Sequence, residues 1–460
     1  MEMSLGIRDP KEVKERIAGA QLEKLLENAN QLGGPRTIYP LRTKFQRTTC
    51  IDINNFSNGH NYLVGSDDGS VSLWEFDSSI VSDDGPMEKS RLINKRLQTS
   101  QNTEKADAGS PSSDNSPQPA DIRMVHSFET RQNKYRLYRS STSSKGVQHN
   151  RYKDESLLTK PSREHRYGIK CLKWYGNDDG MFVTASHDKM IKLWDTNTFI
   201  SAQDIQFNYA VHQIDSVPSE HNCLVVASDD YYPRLIDLRS MNLGVTVFGK
   251  SSKSAKTTTM TSEILSCKYN PVRDHVVASG DNNGRVKLWD IRMRNNLLIE
   301  MTNDDGRMNN KAHVNACNDM IWTEDGRTLV SVGLDGKIIK WTPFETSLPK
   351  KGRLVGDVDI SRNRVKTRTS QRLTVYNDTL IMNTDYSELH FYNLTDCKYM
   401  NKISYPSELV HDKRGTSGVF NGMAIQKDLT NSRGLRLLVG TNSTYDTVSS
   451  LRNNILEYRP

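Results

Sequence analysis

One short pattern recurs along the chain and limits the possible folds more than any other feature. The stretch GSDDGSVSLWEF (65–76) returns as ASHDKMIKLWDT (185–196), SGDNNGRVKLWDI (279–291) and VGLDGKIIKWTP (332–343), with a degenerate copy, ASDDYYPRLIDLR, at 227–239. Each copy has small residues, a polar turn and an alternating strand that ends in Trp or its substitute. A chain with this pattern is predicted to consist of repeated β units.

The spacing of the repeats predicts the size of each unit. Trp194, Ile236, Trp289 and Trp341 are separated by 42, 53 and 52 residues, which is near the length of a four-stranded WD-repeat blade with some longer loops. Two weaker copies, at 382–393 and 437–458, and the first copy bring the predicted number of blades to seven. The predicted fold is all-β: a seven-bladed WD-repeat β-propeller with an N-terminal α-helix and a long disordered insertion.

Polar residues at fixed places explain why such a blade is stable. In WD repeats an early His, a strand Ser or Thr, the turn Asp and the Trp form one hydrogen-bonded set. His165 precedes Trp194 by 29 residues, and His313 precedes Trp341 by 28. In the copy around Trp289, Met260 and Asn283 stand at the His and Asp places, so this blade is predicted to have lost the buried network.

The predicted domains follow from this pattern. Residues 1–34 form a docking helix, residues 35–77 a closing strand and the first blade, residues 78–160 a largely disordered insertion, and residues 161–460 the remaining blades. The extended segment RTIYPLR (36–42) is expected to supply the missing outer strand of the last blade, because a closed propeller must hide its last edge.

The insertion contains two different kinds of sequence. Residues 97–121 are rich in Ser, Asp, Asn, Gln and Pro, which predicts disorder. Farther on, tyrosines alternate with four basic residues, Arg131, Lys134, Arg136 and Arg139. These four could contact nucleic acid or an acidic partner, or they could be the solvent side of a strand whose tyrosines pack on the propeller.

A helix is predicted near the N-terminus. Asp9 and Pro10 form a helix start, and Gly33-Gly34 ends the helical stretch. Its apolar side consists of Val13, Ile17, Leu22, Leu25 and Leu26. The sequence leaves two alternatives open: the helix lies on the chain's own propeller, or it is an exposed hook for another protein.

Composition and motifs argue against several other classes of protein. The net charge of +7, from 62 Lys and Arg against 55 Asp and Glu, is too dilute for a dedicated nucleic-acid binder. The sequence contains no apolar run of membrane-spanning length, no secretory signal, no nucleotide-binding or hydrolase motif and no Cys or His pair at metal spacing. We therefore expect a soluble, intracellular, non-catalytic protein with no cofactor, no metal and no membrane contact, whose six cysteines are small buried residues.

Several blades also contain sequence segments that are similar to those of one protein family. The segments 165–199, 222–241, 262–295 and 311–341, together with MVHSFETRQNKYRLYRSS (124–141), resemble the Cockayne syndrome group A protein family, in particular its fungal members. The resemblance implies a nuclear substrate receptor of a cullin-RING ubiquitin ligase in transcription-coupled nucleotide excision repair. Its expected partners are a ligase adaptor, a Swi/Snf-type repair ATPase and the RNA polymerase II complex, with at most an indirect DNA contact.

The resemblance also suggests where the adaptor binds. Adaptor-binding members carry W-D-x-R at the end of the third strand, which is intact here as Trp289, Asp290 and Arg292 and partial as Asp237 and Arg239. The expected adaptor-binding residues are these two Asp–Arg pairs and the apolar side of the N-terminal helix. Two alternatives remain, a nucleic-acid-binding propeller and a generic chromatin or RNA-processing scaffold.

Overall fold

The computed structural model describes the propeller strands and part of the helix. The described residues are 19–27, 37–40, 47–54, 61–76, 122–127, 165–175, 180–216, 222–239, 245–249, 262–293, 297–303, 311–345, 352–357, 373–384, 388–404, 419–426, 435–442 and 454–458. Among them, no helix has the length and apolar character needed to cross a membrane.

These residues form one helix and a long series of short strands. In chain order the elements are α1 (19–27), β1 (Thr37–Pro40), β2 (Thr48–Ile53), β3 (Asn61–Ser66), β4 (Val71–Phe76), β5 (Ile122–Ser127), β6 (Ile169–Trp174), β7 (Met181–Ser186), β8 (Met190–Asp195), β9 (Ser201–Gln206), β10 (Val211–Ser216), β11 (Cys223–Ser228), β12 (Arg234–Asp237), β13 (Val245–Val247), β14 (Ile264–Tyr269), β15 (Val276–Asp281), β16 (Val286–Asp290), β17 (Leu297–Met301), β18 (Cys317–Trp322), β19 (Leu329–Gly333), β20 (Lys337–Trp341), β21 (Arg353–Asp357), β22 (Leu373–Tyr376), β23 (Thr379–Asn383), β24 (Glu388–Asn393), β25 (Lys398–Ser404), β26 (Val419–Gln426), β27 (Arg436–Asn442) and β28 (Asn454–Tyr458).

The strands form a ring of four-stranded antiparallel sheets. Blades 1 to 6 each contain four consecutive strands: β2–β5, β6–β9, β10–β13, β14–β17, β18–β21 and β22–β25. A closing sheet, in the order β1-β28-β27-β26, joins the two ends of the chain. The first strand of each blade contacts the first strand of the next, and β26 contacts β2, so that the ring is closed.

The predicted seven-bladed WD-repeat propeller therefore requires a correction. Six blades, not seven, are single repeats of four consecutive strands, and the remaining sheet is assembled from both chain ends. In that sheet Thr37 pairs with Glu457 and Pro40 pairs with Asn454, which is the pairing expected for RTIYPLR. The chain ends have to combine because β26 to β28 would otherwise leave an unpaired outer edge.

The predicted boundaries of the insertion also require a correction. The segment Ile122–Ser127 lies inside residues 78–160, yet it pairs with β4 as the fourth strand of blade 1. The segment was overlooked because a long connection separates it from its partner strand, and the sequence pattern is read locally. The expected disorder of residues 97–121 lies outside the described residues.

The antiparallel order gives the ring two distinct faces. Within blades 1 to 6, the turns from first to second strand and from third to fourth strand lie on one face, here called the lower face. The turns from second to third strand and the connections between successive blades lie on the other, the upper face. Every position of the repeat can therefore be assigned to a face from its strand order alone.

Buried polar sets stabilise blades 2 and 5. In blade 2 the indole Nε1 of Trp194 donates to Thr184 Oγ1 at 2.7 Å, Thr184 Oγ1 lies 2.7 Å from His165 Nε2, and His165 Nδ1 lies 2.8 Å from Asp188 Oδ2. Burial alone would raise the pKa of Asp188, but hydrogen bonds from His165 and two main-chain N–H groups hold it below the ordinary value. Blade 5 repeats the arrangement with Trp341, Ser331, His313 and Asp335.

Blade 4 keeps more of its network than its sequence predicts. Trp289 Nε1 still donates to Ser279 Oγ at 2.7 Å. The turn is capped by Asp281 instead of residue 283, because the main-chain N–H groups of Asn283 and Arg285 both donate to Asp281 Oδ1. The prediction that this blade has lost its buried network is therefore wrong for the Trp–Ser contact and for the turn.

Replacing Thr184 by Val tests the buried set of blade 2. The change keeps the shape of the side chain and leaves two buried ring nitrogens, His165 Nε2 and Trp194 Nε1, without a partner. Since each such group costs about 1–3 kcal/mol, we expect the free energy of unfolding to fall by about 2–4 kcal/mol in denaturant titrations. Thr246→Val, at an exposed strand position, is the control, and an equal effect of the two changes would contradict the assignment.

Candidate docking face

Two neighbouring blades carry the same Asp–Arg arrangement on the lower face. In blade 4, Asp290 Oδ1 accepts from the main-chain N–H of Arg292 at 2.9 Å and from its Nε at 3.0 Å. Asp290 Oδ2 accepts from a terminal amino group of Arg292 at 2.9 Å. We call this arrangement a clamp, because the carboxylate fixes both the turn and the guanidinium.

The clamp of blade 3 has the same geometry. Asp237 Oδ1 accepts from the main-chain N–H and from the Nε of Arg239, both at 3.0 Å, and its Oδ2 accepts from a terminal amino group at 3.0 Å. Blades 3 and 4 are adjacent through β10 and β14. The turns after β12 and β16 therefore place Arg239 and Arg292 on one face of neighbouring blades.

The two residues of each clamp differ in the solvent exposure of their side chains. The Asp290 side chain is 8% exposed, whereas the Arg292 side chain is 65% exposed. The corresponding values for Asp237 and Arg239 are 28% and 64%. The carboxylates are thus part of the turns, while the guanidinium groups are presented to solvent.

Electrostatics keep the carboxylates ionised. The side-chain hydrogen bond from Arg292 holds the pKa of Asp290 below its ordinary value, and Arg239 does the same for the pKa of Asp237. Because these folded-state pKa values are lowered, the clamps are intact at neutral pH and are lost only as the pH falls below the ordinary Asp range, near about 4.

Two other blades show which part of the clamp belongs to the repeat. Asp195 of blade 2 accepts from the main-chain N–H of Asn197, and Asn393 of blade 6 accepts from that of Thr395. Both positions form the same turn with no arginine two residues later. Among these four blades, the acid or amide forms the turn by itself, and the arginine is an addition in blades 3 and 4.

Several lower-face residues near the clamps were missed by the sequence interpretation. Met293 follows the Arg292 clamp and is 44% exposed, and Val272, in the first turn of the same blade, is 63% exposed. The Asp274 carboxylate acts electrostatically on Arg292. No periodicity marks these residues, because they belong to turns, and only the fold brings them to the same face.

The N-terminal helix lies on the chain's own propeller. Leu22, Leu25 and Leu26 are 4%, 1% and 5% exposed and share a hydrophobic cluster with blade 6 and the closing sheet. Their expected role as free adaptor-binding residues is corrected, because side chains buried in this chain have no surface left for another protein. Val13 and Ile17, the other two predicted docking residues of this helix, lie outside the described residues.

The remaining sequence predictions concern the basic segment, the cysteines and metal binding. Arg131, Lys134, Arg136 and Arg139 lie outside the described residues, so the basic contact stays a prediction. Cys50, Cys171, Cys267 and Cys317 are buried, and burial raises the pKa of each thiol. Among the described residues, no group of three or more His, Cys, Asp or Glu side chains is arranged to hold a metal ion.

Comparison with known proteins shows what kind of chain carries these clamps. The family profile described as WD domain, G-beta repeat matches residues 40–75, 157–195, 253–290 and 307–342. Radiation-sensitive protein 28 of Saccharomyces cerevisiae is 37% identical over 98% of this chain and 97% of its own length. This chain belongs to the same family as that yeast protein.

The family is a fungal branch of the Cockayne syndrome group A-like proteins, as the resemblance of the blades predicted. WD repeat-containing protein ATCSA-1 of Arabidopsis thaliana is 28% identical over 28% of this chain and 27% of its own. The crystal structure of the Cps50 (Swd1) β-propeller domain of Myceliophteria thermophila covers 92% of this chain and 98% of that one, with a TM-score of 0.56 and 13% identity. The last comparison supports the fold alone, a β-propeller.

Substitutions in the blade 4 clamp distinguish the contribution of Asp290 to stability from that of Arg292. Asp290→Ala removes the cap of the turn, and we expect the free energy of unfolding to fall by about 1–2 kcal/mol. Asp290→Asn should cost much less, because Asn393 forms the same turn in blade 6. Arg292→Ala should change stability by less than about 0.5 kcal/mol, since an exposed ion pair contributes little. Denaturant unfolding of the three variants measures this order, and a larger loss for Arg292→Ala than for Asp290→Ala would contradict it.

Replacing Leu25 by Ala tests the position of the helix. A leucine that is 1% exposed leaves a cavity when truncated, so we expect the free energy of unfolding to fall by about 2–4 kcal/mol. Lys24→Ala, on the exposed side of the same turn, is the control. Equal stability of the two variants would instead favour the helix as a free hook.

Proposed function

We propose that this chain is a non-catalytic substrate receptor of a cullin-RING ubiquitin ligase that acts in the nucleus in transcription-coupled nucleotide excision repair. In this role the lower face docks on the ligase adaptor. The receptor then recruits a Swi/Snf-type repair ATPase at stalled RNA polymerase II. The single observation that carries the proposal is the pair of matching Asp–Arg clamps on adjacent blades.

The clamps have properties suited to a protein interface. Arg292 uses its Nε and one terminal amino group for Asp290, so that the other terminal amino group is directed away from the carboxylate. Ordering a long side chain at an interface costs about 0.5–1.5 kcal/mol. A clamped arginine has lost part of that freedom before binding, and this favours its use as an anchor.

The surroundings of the clamps support the same role. Exposed Met293 follows Arg292 directly, and exposed Val272 lies in another lower-face turn of the same blade; a mixture of arginine and apolar groups is typical of the centre of a protein interface. Family membership is the second support, because the yeast relative is named a radiation-sensitive protein. A link to the repair of damaged DNA is consistent with that name.

The helix has a smaller direct part in this proposal than its sequence indicates. Its leucines stabilise the propeller, while Glu23, Lys24 and Glu27 remain exposed. Deleting residues 1–34 would therefore remove core contacts together with any docking surface. Substitutions in the clamps are the sharper test, since they leave the core unchanged.

The test is affinity purification of the full chain after ultraviolet irradiation, followed by quantitative mass spectrometry. We expect wild type to recover a cullin, its adaptor and a Swi/Snf-type ATPase. The double variant Arg239→Glu/Arg292→Glu should recover at least about tenfold less adaptor, because a tenfold loss needs only about 1.4 kcal/mol, which is less than the loss of two anchoring arginines.

The control variant carries the same charge change away from the lower face. Arg166→Glu/Lys189→Glu alters two exposed upper-face positions, one in the connection that leads to β6 and one in the turn between β7 and β8, and should recover the adaptor at the wild-type level. Equal recovery by both double variants would remove the clamps from the interface. Recovery of histones or splicing factors without ligase subunits would contradict the receptor function itself.

A further inference from the structure

A pocket on the upper face lies at blade 4, where Asn283 takes the place of the turn Asp of the repeat. It has a volume of about 440 Å³ and is lined by Asn282 and Asn283 of the blade 4 turn, by Lys311, Val314 and Asn315 of the connection to blade 5, and by Leu334 of the blade 5 turn. That volume is within the range of about 300–1,000 Å³ that is usual for binding pockets. None of these residues belongs to the clamps or to a buried polar set.

The interruption changes the charge of this part of the face. Four other turns of this type, those of blades 1, 2, 3 and 5, have an acid at the equivalent position: Asp68, Asp188, Asp230 and Asp335. Blade 4 has Asn283 there, and its turn is capped by the buried Asp281. Asparagine at position 283 thus removes a negative charge from the pocket lining without removing the support of the turn.

Lys311 makes the pocket lining positive. It carries the only formal charge among the lining residues named above, and it forms no ion pair with a carboxylate of the described part of the chain. The side chain of Asn282 donates to Glu263 Oε2 at 3.4 Å, whereas Asn315 is exposed, and its amide group has both a donor and an acceptor for a peptide main chain. Val314, 46% exposed, and Leu334 add apolar surface.

The walls of the pocket are fixed to each other. The main-chain N–H of His313 donates to the carbonyl of Gly284 at 2.9 Å, and that of Leu334 donates to the carbonyl of Ala316 at 2.8 Å. A Cβ at Gly284 would lie only 2.3 Å from the carbonyl oxygen of His313, so that the two walls can approach this closely only with glycine at this position.

The polar set of blade 5 anchors the same connection. The main-chain N–H of Val314 donates to Asp335 Oδ2 at 2.9 Å, and Asp335 also lies beside the buried His313. The pocket is therefore formed before a partner arrives, which reduces the ordering cost of binding.

We propose that this pocket binds an extended acidic segment of a partner protein, with Lys311 opposite a carboxylate, Asn315 on the peptide main chain and Val314 and Leu334 against an apolar side chain. This assignment rests on the proposed receptor function. It identifies the surface on which the receptor would bind its target protein. Because the pocket is on the face opposite the clamps, adaptor and target can bind at the same time.

The test measures fluorescence anisotropy of labelled dodecapeptide pools with the purified full chain. One pool alternates Asp or Glu with aliphatic residues, a second has Lys in place of the acids, and a 12-nucleotide single strand serves as the phosphate probe. The acidic pool should bind wild type, whereas the lysine pool and the oligonucleotide should not.

Two substitutions connect this binding to the pocket. Lys311→Glu should weaken the acidic pool by at least about tenfold and allow the lysine pool to bind, as expected for a reversed charge. Asn283→Asp installs the residue that four other turns already have and should weaken the acidic pool by about 3- to 10-fold. Lys398→Glu, on an exposed outer strand, should have no effect.

Three results would overturn the proposal: no binding of the acidic pool to wild type, equal binding by wild type and Lys311→Glu, or oligonucleotide binding that depends on Lys311 in place of peptide binding. Thermal unfolding of each variant shows whether a loss of binding reflects a loss of fold. Since no adaptor is present in this assay, its failure leaves the role of the clamps to be decided separately by co-purification.

Discussion

Pairing between the two ends of the chain is the constraint on which the rest of the structure depends. Strand β1 adds to β28 in antiparallel register, from Thr37 opposite Glu457 to Pro40 opposite Asn454. Without it the closing sheet would end in an unpaired edge, and unpaired edges favour aggregation. A closed ring keeps every blade at a fixed angle to its neighbours. The turns on both faces are therefore held in fixed positions as well.

Polar contacts between first strands reinforce this closure from the inside. Asp319 of blade 5 is 2% exposed, and its carboxylate accepts from Gln213 Nε2 of blade 3 and from the main-chain N–H of Leu373 in blade 6. Gln213 Oε1 in turn accepts from Ser266 Oγ of blade 4 at 2.8 Å. Four consecutive blades thus share one buried network, and such a network is stable only when its members are satisfied.

The repeat could be predicted from the sequence because its signals are local. His165 and His313 were identified by their spacing from a Trp, and both hydrogen bonds were found as expected. Strand β5 and the capping role of Asp281 were missed, because each depends on a partner that the local pattern does not identify. The placement of the helix was open for the same reason: Leu25 is apolar whether it packs on this chain or on another, and only the fold shows its 1% exposure.

The residues that depart from the repeat are the ones that distinguish this propeller from others. Arg239 and Arg292 are added to turns that form without them, and Asn283 replaces an acid that the turn does not need. The first departure is on the lower face and the second on the upper face, and we propose that this rigid scaffold has one partner surface on each side.

Hydrogen–deuterium exchange on the full chain, alone and with the proposed ligase adaptor, tests this two-sided organisation most directly. We expect slower exchange on adaptor binding in peptides that cover 237–239, 270–275 and 290–293, with unchanged exchange in those that cover 281–285 and 311–316. Protection of the upper-face peptides with unchanged exchange at the clamp turns would contradict it.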